Sequence, residues 1–131
     1  MWRFGKTKPK EVWEEEVHSP LGDIEAAEII RTICRSAADG AARLGSLCDG
    51  AERKRRDKTR DQRARYQGAA RRAMEIAMKI SDELMRDAAV GQIVDLCLKA
   101  HDLKTAKILF RAIQAPSIRQ MVLSDHPRVE L

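Results

Sequence analysis

Six arginines, Arg53, Arg56, Arg60, Arg63, Arg71 and Arg72, are the residues whose type and spacing most invite chemistry in this chain. A guanidinium is planar, stays charged, and can donate two hydrogen bonds to one phosphate or carboxylate. The first four recur at steps of three and four, which a helix gathers on one face. They lie in AERKRRDKTRDQRAR, residues 51–65, where eight Lys or Arg stand against three acids. The chain has 25 bases and 20 acids in all, so 17 of each remain elsewhere and the whole +5 resides in this stretch. Such a helix could lie along a nucleic-acid backbone, with affinity that falls as salt rises. It could equally be a solvated surface, because Asp57 and Asp61 interrupt the row and Tyr66 is its one stacking ring. Pairs such as Glu52 with Arg56 and Asp61 with Arg65 support an exposed helix by only about 0.2–0.5 kcal/mol each.

The other reactive residues are scattered. Cys34, Cys48 and Cys97 form no CxxC pair, and each sits in an apolar helical context, which predicts reduced, buried thiols and a cytoplasmic location. His18, His101 and His126 are far apart, and no HxxxH or HExxH spacing occurs. No glycine-rich phosphate loop and no GxSxG is present. Cys97 and His101 are four residues apart, but Cys97 belongs to an apolar seam and not to an open pocket. No catalytic residue, metal or cofactor is therefore expected, and the chain reads as a non-enzyme.

Few aromatic and β-branched residues, with abundant Ala, Arg, Leu, Lys and Glu, specify an all-α fold in one domain of 131 residues. The expected form is a bundle of four to five helices, with a long antiparallel pair and a C-terminal helical hairpin. The bundle should span 20–123, between a basic N-terminal tail over 1–19, with a short helix at 10–18, and a C-terminal tail over 124–131. Ser19 and Pro20 form a helix start, and Asp49 and Gly50 a helix end. Between them Ala26, Ile30, Ile33, Ala37, Ala41, Leu44 and Cys48 recur at helical spacing. A second seam runs Tyr66, Ala70, Ala73, Ala77, Ile80 and Leu84, widened by Met74, Met78 and Met85. Asp87 is placed to cap a third helix over 88–100, and Asp102 a fourth over 103–114. A last turn covers Ile118 to Leu123. No run reaches the roughly 18 apolar residues of a membrane span, and MWRFGKTKPK lacks the apolar core of a signal peptide.

Residues 90–113, VGQIVDLCLKAHDLKTAKILFRAI, read as two helices joined at His101 and Asp102. With KAHDLKTAKILF in the place of the turn and second helix, the segment resembles one hairpin of a tetratricopeptide or pentatricopeptide repeat. His101 stands where such repeats carry Gly, and the chain has no second copy, so the resemblance transfers no binding residues. Read as a helix-turn-helix, the same segment offers Lys104, Lys107 and Arg111 but no bidentate base reader.

A reversal at Gly50 would lay the small face of Ala37, Ala41, Leu44 and Cys48 against charged residues, a costly burial. The C-terminal helices, a longer excursion, or a second copy of the chain would then have to cover that face, which makes it a helix-packing or dimer surface. Trp13 is expected to fold back on the bundle, while Trp2 could dock elsewhere. The functional expectation is a non-catalytic adaptor, regulator or inhibitor that binds another protein or itself. The alternative is a nucleic-acid-binding accessory protein that uses the arginines from 53 to 72.

Overall fold

The computed structural model describes residues 12–14, 22–47 and 56–130, and among them the fold is all-α, with five helices and no strand. They are α1 (Asp23–Leu47), α2 (Arg56–Ala77), α3 (Glu83–Lys99), α4 (Leu103–Ala112) and α5 (Pro116–Asp125), with 3₁₀ turns at Val12–Glu14 and Pro127–Glu130. Ser19, Pro20, Asp49 and Gly50, the expected helix boundaries, lie outside the described residues, as do Trp2, Cys48 and Arg53.

The apolar spacing of α1 explains its burial: Ala26, Ile30, Ile33, Ala37, Ala41 and Leu44 all enter the core. Two contacts fix its direction. At one end the Asp23 carboxylate accepts the backbone N–H groups of Ser81 and Asp82, each at 2.9 Å. At the other end Gly45 packs against the backbone of Lys99. α1 and α3 therefore run parallel, and α2 runs back alongside them.

The seam of α2 does not continue to Leu84 within one helix. Ile80 is buried, but from a turn, and Leu84 is 53% exposed on α3. The break is set by Asp82, an extended N-cap whose side chain accepts Met85 N–H at 2.8 Å. Asp82 thus takes the capping role expected of Asp87. Asp87 instead lies inside α3, 3% exposed, where one oxygen accepts Gln114 N–H at 3.1 Å and Ala115 N–H at 2.8 Å. It ties down the α4–α5 connection.

Asp102 does cap α4, accepting Thr105 N–H at 3.3 Å, and its second oxygen accepts the buried Tyr66 hydroxyl at 2.6 Å. The preceding turn closes by Asp102 N–H to Cys97 O at 2.9 Å and His101 N–H to Leu98 O at 3.1 Å. This is the helix end that favours Gly, yet His101 adopts the left-handed φ of 59°. Farther on, the Arg119 guanidinium donates to the carbonyls of Phe110 and Ile113 at 3.3 and 2.9 Å and lies 4.3 Å over the Phe110 ring, closing the end of α4.

Residues 124–130 are not a tail. They finish α5 and form the last 3₁₀ turn, in which Val129 is buried and His126 Nε2 meets Asp95 Oδ1 at 2.9 Å. Trp13 folds onto the bundle beside Gly68, as expected.

The tie at Asp23 has a pH signature. Hydrogen bonds from Ser81 and Asp82 hold its carboxyl below the ordinary 3.8. A carboxyl lowered in the folded state adds stability above the unfolded pKa, and this is lost as pH falls through the folded value. Asp23→Asn is expected to flatten the dependence of the urea midpoint on pH between about pH 5 and pH 2. An unchanged slope would show that the tie contributes nothing.

Candidate functional site

Arg60, Arg63 and Arg71 are exposed on α2, and Arg56 is its first residue. At 3.6 residues per turn these four positions share one flank, while Asp57 and Asp61 fall toward the neighbouring one. The acids therefore border the arginine row and do not interrupt it. Arg72 leaves the row: it is half-buried and pairs with Glu75 at 3.2 Å. Among the described residues, Arg60, Arg63 and Arg71 have no ion-pair partner.

Beside this row, Gln67, Ala70 and Met74 of α2 and Thr105 and Leu109 of α4 line a shallow groove of about 300 Å³. Helical register turns Lys104, Lys107 and Arg111 to the flank of α4 away from Thr105 and Leu109, so the two basic segments do not merge. Every aromatic residue among those described, Trp13, Tyr66 and Phe110, is buried. The arginine flank consequently has charge but no stacking platform for bases.

Ala37, Ala41 and Leu44 are buried within the single chain. α2 lies over this face more fully than its charge implied, because its neutral residues occupy the critical register. Gln62 sits on Gly40 and lines a small cavity with Ala37, Ala41 and Tyr66. Lys99 at the end of α3 and His101 in the turn that follows cover Gly45. No second copy is needed over the described part of this face.

A groove larger than the one beside the arginine row lies elsewhere, and sequence reasoning missed it. α3 is buried along Ala89, Val90, Ile93, Val94, Leu96, Cys97 and Leu98, so it is the central helix. One strip is only partly covered: Ala88, Gly91, Gln92 and Asp95 are half-buried and Lys99 is exposed, and the five fall on a single face at helical spacing. This strip floors a groove of about 610 Å³, walled by Arg31, Cys34, Arg35 and Ala38 of α1 and by Ile118, Met121 and Asp125 of α5. Met121 is 63% exposed. The signal was present in the sequence as two small residues, Ala88 and Gly91, on the same face of α3 as Gln92, Asp95 and Lys99. What makes that face a groove is the packing of α5 beside it.

Neither described thiol is activated. Burial pushes Cys34, which lines the groove, up to about 12, and Cys97 up to about 11. Burial and the bond to Asp102 likewise raise the Tyr66 phenol, keeping it a hydrogen-bond donor. Asp95 is matched by Lys99 at 3.2 Å and His126 at 2.9 Å. Among the described residues, no three His, Cys, Asp or Glu are grouped to hold a metal ion, and no helix is long and apolar enough to cross a membrane. Comparison with protein-family models, curated proteins and solved structures finds no match.

Proposed function

We propose that this chain is a non-catalytic, protein-binding helical module, an adaptor or regulator, that receives its partner in the groove between α1, α3 and α5. The observation that carries this reading is the partly covered strip of the central helix that floors the groove. A helix wrapped on its other sides by its own chain presents a ready packing surface, and grooves between helices are a recurrent place for a partner helix to dock. Alert thiols, metal-ligand clusters and stacking rings are not among the described features, which leaves surface complementarity as the chemistry on offer.

The arginine row supports a second reading, binding to nucleic acid, and the two are separable by experiment. A photo-crosslinking residue in place of exposed Met121 should capture a protein from native-host extract, whereas the same residue in place of Gln114 should not. In gel-mobility assays at low salt, the full chain should fail to shift duplex or single-stranded DNA or RNA. A salt-sensitive shift that is lost on combining Arg60→Glu, Arg63→Glu and Arg71→Glu would transfer the function to the arginine flank.

A further inference from the structure

We infer that the occupant of the α1–α3–α5 groove is an amphipathic helix of a partner protein whose apolar stripe is bordered by acidic side chains, a conclusion that rests on the protein-binding reading above. The floor suits a helix in length and in depth. From Ala88 to Lys99 it extends about 16 Å along α3, three helical turns. Ala88 and Gly91 carry little or no side chain, so a second helix can approach to the lower part of the usual 8–10 Å interaxial range. Ile118 and Met121 then offer apolar contact at one wall. A Cβ at Gly91 would make ordinary contact with Val122 at 3.4 Å and Ile118 at 3.7 Å, so a long side chain there extends along the α5 wall into the groove.

Charge selects the class of helix. Arg31 and Arg35 stand one turn apart on the α1 wall, exposed and without an ion-pair partner among the described residues. The acid on the floor, Asp95, is already paired with Lys99 at 3.2 Å and contacts His126 Nε2 at 2.9 Å. On the α5 wall Asp125 is the single acid, and it lies at the polar end of the groove beside His126. The unmatched charge is therefore mostly positive and on one wall. A helix with Glu or Asp along one border of its apolar stripe meets both arginines, and such pairing acts on specificity and on encounter rate. A nucleic acid backbone fits less well, since it has no use for the apolar Ile118 and Met121 wall and would face Asp125.

The test uses the full chain and labelled helical peptides of about 14 residues, with Leu at i, i+3, i+4 and i+7. One peptide has Glu bordering the Leu stripe, one has Lys in those places, and one has the composition of the first in scrambled order. Fluorescence anisotropy should show the Glu peptide binding at least about tenfold more tightly than the other two, a difference of about 1.4 kcal/mol. Combining Arg31→Glu with Arg35→Glu should reverse the Glu-over-Lys preference. Gly91→Gln should weaken every groove-bound peptide about tenfold, and Met121→Glu, at an exposed site where folding is not at risk, should weaken the Glu peptide selectively. Equal binding of the Lys or scrambled peptide, still sensitive to Gly91→Gln, would overturn the acidic helix while leaving the groove as a docking site. Binding indifferent to both Gly91→Gln and Met121→Glu, or no binding of any peptide, would overturn the groove itself. Self-association abolished by Gly91→Gln would make the occupant a second copy, and would also overturn the proposal.

Discussion

Gly45→Ala is expected to destabilise the fold by about 2–3 kcal/mol, lowering the melting temperature by roughly 10 °C. The direction is opposite to helix propensity, which favours Ala over Gly by about 1 kcal/mol in a helix interior. Tertiary packing wins because Gly45 is buried where α1 meets the α3–α4 turn. A Cβ there would lie 2.5 Å from the Lys99 carbonyl oxygen and 2.9 Å from the His101 ring. The carbonyl belongs to a turn held by two backbone hydrogen bonds, with His101 already in a left-handed conformation, so it has little freedom to retreat.

Gly40→Ala provides the internal control. A Cβ at Gly40 would meet Gln62 Oε1 at 2.8 Å, but that atom is the far end of a flexible side chain. It is also buried with no hydrogen-bond partner among the described residues, so moving it breaks no hydrogen bond. Gly40→Ala should accordingly be neutral or stabilising by up to about 1 kcal/mol. Urea unfolding of the two variants checks the contrast. If both were stabilised, close packing of α1 on the α3–α4 turn would be refuted.

These two glycines also show which features could be read from the chain alone. The α1 seam, the Asp102 cap, the α3–α4 hairpin and the all-α fold follow from periodicity and local capping chemistry, which act within a few residues. The α2–α3 boundary did not, because Ile80 keeps the seam in phase while sitting in a turn. Asp82 and Asp87 are equally good caps by local pattern. The distinction comes from Asp23, nearly sixty residues away, which accepts the N–H groups of Ser81 and Asp82. The way the charged stretch packs depends likewise on a contact distant in sequence. Gln62, a neutral residue within that stretch, occupies the position facing Gly40 and lets α2 lie over α1. Neither the groove nor the burial of Val129 has a local signature, since both depend on where α5 and the final turn come to rest.

Asp87→Ala is the second large effect, an expected loss of about 2–4 kcal/mol. Asp87 Oδ2 alone serves both Gln114 and Ala115 N–H, the connection between α4 and α5. Ala115, the N-cap of α5, makes no side-chain capping bond, so no other side chain substitutes for this carboxylate. Removing it leaves two helix-terminal donors unpaired in a partly buried site and a small void beside a 3% exposed position. Asp87→Asn discriminates between charge and acceptor geometry. Its amide oxygen can occupy the Oδ2 position and keep both bonds, losing only the strengthening that a charged acceptor confers, about 0.5–1.5 kcal/mol. The consequence reaches the groove, because α5 forms the wall that carries Ile118, Met121 and Asp125. Amide hydrogen exchange in α5 should accelerate in Asp87→Ala before global unfolding, and binding of the Glu-bordered peptide should weaken with it. If exchange in α5 stays as slow as in the wild type while stability falls, Asp87 would be supporting the core and not the groove wall.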